Sequence, residues 1–117
     1  NEALESKDIL FNMEIDEKVL GMKLSMDARR DLFLIFKEGI NNAAKYSKAS
    51  RLFISFALEK SIFILKIKDY GVGFNLNDLD DGNGLENMKK RAANLNGALT
   101  INSKPGEGTE LILKITL

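Results

Sequence analysis

The 117 residues contain no histidine and no cysteine, and their 17 Lys+Arg are matched by 17 Asp+Glu. Without histidine there is no imidazole acid–base catalysis, no Ser-His nucleophile and little scope for zinc. Without cysteine there is neither a disulfide framework nor a thiolate metal site, in keeping with a reducing compartment. Balanced charge leaves no global field to gather nucleic acid or an anionic membrane. No apolar run approaches the roughly 18 residues of a membrane span, and no signal peptide opens the chain. What remains is 44% hydrophobic and 29% charged, the make-up of a globular domain large enough for one core. We therefore expect residues 1–117 to form a single domain. The start at Asn1, without an initiator Met, suggests a fragment of a larger protein.

Alternation places Ile9, Phe11, Met13 and Ile15 on one face of a first strand, and residues 16–24 read as a connection. Ser25 is a helix cap with Asp27 in the first turn, and the helix is expected to run to about Tyr46. Its apolar stripe is Leu32, Phe36, Gly39, Ile40 and Ala43. Glu38, Asn42 and Lys45 form a narrow stripe beside it, with Asn41 adjacent. Such a stripe is commonly a solvated face, yet two asparagines in mid-helix suggest amides put to use. Ser50–Leu58 and the run ending at Asp69 read as strands joined by a hairpin at 59–61. A polar, acidic, glycine-ended loop leads to a second helix from Leu85. In that helix Leu85, Met88, Ala92 and Leu95 face the core, while Lys89, Lys90, Arg91 and Asn94 face away. Asn96-Gly97 ends it. Two strands close the chain around a Lys104-Pro105-Gly106-Glu107 turn of type II character, the second running to Leu117. The order β-α-β-β-loop-α-β-β predicts an α+β two-layer sandwich, a mixed, mostly antiparallel sheet with helices on one face.

Asp69 shares parity with Phe63, Leu65 and Ile67, and Thr109 shares parity with Leu111, Leu113, Ile115 and Leu117. Two polar groups thus point inward at strand ends, where burial is costly unless something polar meets them. Gly71 and Gly73 bare the backbone just beyond Asp69, so a ligand could approach closely. Three Gly-x-Gly pairs occur, but Leu76, Asn87 and Leu111 occupy the places a dinucleotide fingerprint needs for its third glycine, and there is no P-loop. Gly82 and Gly84 open directly into a helix, where free N–H groups favour phosphate. Asp69 can accept from an exocyclic amine such as that of adenine. Glu38 and Asn42 offer oxygens to Mg²⁺, and Lys45 a point charge for phosphate. That describes an ATP·Mg²⁺ site without a P-loop.

These motifs resemble the ATP-binding fold shared by gyrase, the heat-shock chaperones, mismatch-repair ATPases and histidine kinases (the Bergerat-type fold). The closest resemblance is to the catalytic domain of bacterial two-component sensor histidine kinases. Residues 38–46, Glu-Gly-Ile-Asn-Asn-Ala-Ala-Lys-Tyr, resemble the N box, and Asp69-Tyr70-Gly71-Val72-Gly73-Phe74 the first glycine box. Residues 82–92 resemble the second glycine box of short-lidded kinases related to nitrate sensors. Residues 103–109, Ser-Lys-Pro-Gly-Glu-Gly-Thr, are similar to the closing motif. Four motifs in the family's order cover Glu38 to the end, while the first 37 residues fit in layout only.

The resemblance implies that Asn42 holds Mg²⁺, with Glu38 ordering its water or the attacking group. Lys45 would meet a phosphate and Tyr46 would lie against adenine. Asp69 would take the adenine amine, supported through water by Thr109, while Gly71 and Gly73 admit the base. Gly82 and Gly84 would hinge a short lid, with Leu85 part of the nucleotide site. The implied function is transfer of the γ-phosphoryl of ATP·Mg²⁺ to a histidine, one that must lie outside this histidine-free chain. The implied partners are a dimerising phosphotransfer hairpin of the same protein, hence a homodimer, and a downstream response regulator, with no nucleic acid. The expected setting is cytoplasmic, with membrane anchoring of the intact protein left open. Two alternatives stand beside it: another ATPase or serine kinase of the same superfamily, and a non-catalytic nucleotide-binding module.

Overall fold

The computed structural model describes residues 10–43, 51–71, 83–104 and 106–117. Five strands form one sheet: β1 (Leu10–Ile15), β2 (Arg51–Glu59), β3 (Ile62–Asp69), β4 (Gly97–Ser103) and β5 (Thr109–Thr116). Their spatial order is β1-β2-β3-β5-β4. Only the β1–β2 pair is parallel, as its helical connection allows; the other three pairs are antiparallel. Two helices, α1 (Met26–Asn42) and α2 (Asn83–Asn94), complete the expected two-layer α+β arrangement.

The strands form because their apolar residues alternate, and that alternation sets which face is buried. In β3, Phe63, Leu65, Ile67 and Asp69 are buried, and in β5 so are Thr109, Leu111, Leu113 and Ile115. Against this face α1 buries Ile35 and Ile40, with Ala43 at its C-cap, and α2 buries Met88 and Ala92, with Leu95 following in the turn beyond it. Each fully buried side chain of this size contributes about 1.5–3 kcal/mol, which is why the period survives so cleanly in the sequence. Ser25 caps α1 as expected, its hydroxyl accepting from the Ala28 N–H at 3.1 Å. Extension of that helix to Tyr46 lies outside the described residues.

Several details differ from the sequence reading. Ile35, absent from the predicted stripe, is wholly buried and central to α1. Residues 16–24 are not a plain connection: Glu17–Gly21 form a 3-10 turn capped by Asp16. The Asp16 carboxylate accepts from Lys18 N–H at 3.1 Å and from Leu58 N–H at 3.4 Å, while its own N–H donates to the Phe56 carbonyl at 2.9 Å. One acid thereby ties the end of β1 to β2. The inward face of β1 is left uncovered, with Phe11, Met13 and Ile15 each 44–50% exposed, because the strand lies at the sheet edge beyond the helices. Leu117 donates its N–H to Ser61 O at 2.8 Å but leaves its side chain half exposed rather than in the core. Helix α2 begins at Asn83, two residues early. Arg91 does not face away but contacts α1.

Candidate nucleotide site

Asp69 closes β3 and is 1% exposed. A buried carboxylate needs donors, and two backbone amides supply them. Gly71 N–H reaches Asp69 Oδ1 at 3.0 Å, a turn in which the side chain bonds its own backbone two residues on. Thr109 N–H, opposite Asp69 in the β3–β5 register, reaches the same oxygen at 3.1 Å. Both bonds among the described residues fall on Oδ1, so Oδ2 keeps its acceptor capacity.

The second bond depends on a glycine. Gly108 sits at φ +77°, and a Cβ built there would lie 2.5 Å from the Asp69 carbonyl oxygen and 3.3 Å from Oδ1. No other residue lets β5 start so close to the end of β3. The turn before it follows the predicted type II form where it is described, with Gly106 at φ +85° and Glu107 N–H donating to Lys104 O at 3.0 Å. The Thr109 hydroxyl lies 2.7 Å from that of Ser103, which also donates to Gly108 O at 3.4 Å. Support of Asp69 by Thr109 therefore includes a direct backbone bond, beyond the water-mediated one the resemblance implies.

Helix α1 meets the sheet near this end. A Cβ on Gly39 would lie 3.0 Å from Ile67 Cδ1 and 3.2 Å from Leu111 Cδ1. Ile67 and Leu111 are cross-strand partners, two residues along from the Asp69–Thr109 pair, or about 7 Å at strand spacing. Glu38 and Asn42, both half-buried, flank Gly39 on the last turns of α1. They bring a carboxylate and an amide four residues apart into the neighbourhood of the buried acid. Among the described residues no three His, Cys, Asp or Glu side chains cluster. The donor set fits a hard ion such as Mg²⁺, held mostly by phosphate oxygens and water, rather than an all-protein cage.

Of the other predicted positions, Gly71 lies just past β3, while Gly84 and Leu85 lie in the first turn of α2. Lys45, Tyr46, Gly73 and Gly82 lie outside the described residues. The sequence reading missed Gly108 and Ser103. Both stand in the closing motif, where the turn was read over residues 104–107 and neither Ser103 nor Gly108 was given a role at the site. Tyr70, exposed beside Asp69, carries the Arg51 guanidinium 5.2 Å and the Lys68 ammonium 5.7 Å from its ring centre. Nothing in the local sequence signals that pairing, because Arg51 comes from another strand.

This geometry coincides with a family profile. Residues 27–117 match the histidine kinase-, DNA gyrase B- and HSP90-like ATPases. The chain belongs to this ATPase family. The match begins at Asp27, so it takes in the whole of α1 beyond its first residue. Sequence relatives include the signal transduction histidine-protein kinase/phosphatase DegS of Brevibacillus brevis, 37% identical over 87 residues (74% of this chain, 22% of DegS). The sensor protein VraS of Staphylococcus saprophyticus is 30% identical over 106 residues, covering 90% of this chain and 30% of VraS. The chain thus spans about a quarter of the length of these relatives, one named as a signal transduction histidine-protein kinase/phosphatase and the other as a sensor protein. Among solved structures, the histidine kinase domain of the Erythrobacter litoralis EL346 blue-light activated kinase superposes with a TM-score of 0.80 at 14% identity, over 97% of this chain and 59% of that one. Full-length ShkA, solved in complex with AMPPNP, gives 0.78 at 18% identity, over 97% and 27%. At these identities the superpositions speak for the fold. Membership of the family makes this a histidine-kinase-like ATPase domain, with ATP as the implied ligand. No described helix is long and apolar enough to cross a membrane.

Proposed function

We propose that this chain is the catalytic domain of a sensor histidine kinase, which binds ATP·Mg²⁺ and passes the γ-phosphoryl group to a histidine outside these 117 residues. The observation that carries the reading is the buried Asp69, held through one oxygen by Gly71 and Thr109, with the end of α1 that bears Glu38 and Asn42 packed through Gly39 on the neighbouring Ile67–Leu111 pair. Oδ2 of Asp69 would accept the exocyclic amine of adenine, and Gly71 and Gly73 would leave room for the base. Asn42, with Glu38, would hold Mg²⁺, which neutralises phosphate charge and orients the leaving group. Lys45 would meet a phosphate, Tyr46 would cover the base, and Gly82, Gly84 and Leu85 would close over the triphosphate.

Transfer breaks the bond between the γ-phosphorus and its bridging oxygen and forms a phosphorus–nitrogen bond to the acceptor imidazole; ADP departs and the imidazole gives up its N–H proton. The protein's share is alignment and charge neutralisation, which suits a chain with no histidine and no cysteine. The acceptor would sit on a dimerising helical hairpin of the same protein, with an aspartate on a response regulator as the next carrier.

Asp69→Asn tests the base-binding step. The amide keeps an oxygen for Gly71 and Thr109 but turns a donor towards the adenine amine. Losing one charge-assisted bond of about 2 kcal/mol weakens ATP binding about 30-fold, read by calorimetry at a temperature where the variant is folded. Undiminished ATP binding in this variant refutes the assignment. Incubating the chain with ATP·Mg²⁺ and a separately made histidine-bearing hairpin tests the transfer; an acceptor that stays unphosphorylated despite ATP binding refutes the kinase step alone.

A further inference from the structure

We infer that the ion pair between Asp31 and Arg91 is a positioning device for the nucleotide site, setting how α2 sits against α1. The inference rests on the ATP reading above. Arg91 Nη1 donates to Asp31 Oδ1 at 3.3 Å, with the aspartate side chain only 14% exposed and the arginine 34%. It is the one ion pair between described residues. Lys89 and Lys90 precede Arg91 and are exposed, so of three consecutive cations only the last turns towards α1.

Both helices are already held to the sheet by Ile35, Ile40 and Ala43 on one side and Met88, Ala92 and Leu95 on the other. Apolar contact is non-directional and tolerates sliding and rotation. A charge-assisted hydrogen bond has a preferred length and angle, so it selects one rotation and one offset. The pair joins the second turn of α1 to the third turn of α2. Asn42 lies about 16 Å further along α1, and Asn83 about 12 Å back along α2, at 1.5 Å per residue. Each helix is a stiff rod, so a change at the pair is carried to the proposed metal-side residues on α1 and to the glycine-bearing start of α2 on the phosphate side. Asp69 is built on β3 and β5 and does not hang from this contact. The inference therefore predicts a phosphate-specific effect.

The test compares the unaltered chain with Arg91→Gln, Arg91→Lys, Asp31→Asn and the swap Asp31→Arg/Arg91→Asp. Binding of ATP·Mg²⁺ and of adenosine is measured beside the melting temperature. Solvent-exposed pairs change the folding equilibrium by no more than about fivefold, and this one is partly buried, so a purely structural role predicts a melting shift with no change in binding to the folded chain. The positioning role predicts that Arg91→Gln and Asp31→Asn weaken ATP binding by about 2–30-fold with adenosine unaffected. Arg91→Lys then retains part of the affinity, and the swap recovers most of it. Equal losses for ATP and adenosine, no loss for either, or a swap as weak as the single variants overturns the inference. A chain that binds ATP with an affinity indifferent to all four variants refutes the positioning role and leaves the ATP reading standing. An unaltered chain that binds neither ligand refutes both.

Discussion

Replacing Gly108 by alanine separates two things the glycine does: it adopts a left-handed backbone, and it leaves space beside Asp69. The added methyl group would stand 2.5 Å from the Asp69 carbonyl oxygen, a distance that backbone must move to relieve. Holding alanine at φ +77° costs about 1 kcal/mol. Relieving the overlap costs about 1–3 kcal/mol more. Because Thr109 follows directly, any retreat also stretches its 3.1 Å bond to Asp69 Oδ1, a charge-assisted bond worth about 1.5–3 kcal/mol when intact. The three effects share one displacement and do not simply add, so the expected loss is about 3–5 kcal/mol. That is a large part of the stability of an ordinary domain.

Gly106→Ala is the control, because Gly106 has φ +85° with nothing within 4 Å of the new atom. It carries the backbone strain alone, about 1 kcal/mol. At roughly 4 °C per kcal/mol for a chain of this length, Gly106→Ala should melt about 4 °C below the unaltered protein and Gly108→Ala about 12–20 °C below. Thermal unfolding followed by circular dichroism, with all three proteins at one pH, gives the comparison. Two variants with equal melting temperatures would refute the reasoning, since they would show that the close approach to Asp69 carries no energy.

Three further outcomes follow from the described contacts. The Lys18 N–H, with the Leu58 N–H and the Lys18 charge, holds the Asp16 carboxyl below its ordinary value of 3.8. A lowered folded-state value adds stability above 3.8 that disappears as pH falls through it, so the melting gap between the unaltered chain and Asp16→Asn should narrow on acidification below that pH; a gap that stays constant counts against the contact. Leu65→Ala, at a wholly buried position in the central strand, should lower unfolding free energy in urea by about 2–5 kcal/mol. Lys60 turns the β2–β3 hairpin at φ +57°, so Lys60→Gly should raise stability by about 0.5–1 kcal/mol, and a lower melting temperature would argue against strain there.

Those positions also show what could be read without coordinates. The inward faces of β3 and β5, with Asp69 and Thr109 in line with leucines and isoleucines, follow from parity, because burial on one face of a strand writes itself into every second residue. The cap at Ser25 is equally local. Contacts between distant positions leave no such trace. Arg91 pairs with a residue 60 positions away, and Asp16 reaches a backbone amide 42 positions away, so a basic stretch read as solvated and a segment read as connection. The uncovered face of β1 has another cause. Alternation reports that a strand has an apolar side, but only the placement of the helices decides whether that side is covered.

The two halves of the candidate site are built to different standards of rigidity. At the Asp69 end, one buried oxygen takes bonds from the residue two further on and from the facing strand, and glycine at 108 permits the approach. Moving that oxygen means breaking two buried amide bonds at the end of the β3–β5 ladder. At the other end, Glu38 and Asn42 stand on the last turns of a helix that touches this ladder at Gly39, through the flexible ends of Ile67 and Leu111. A helix resting on side-chain tips can shift by a few tenths of an ångström without breaking a backbone bond. Under the proposed reading, the sheet would fix which base is accepted while the helices stay adjustable around the phosphates. A directional contact such as Asp31–Arg91 is what such an adjustable layer requires, and it lies between the helices, where the sheet supplies none.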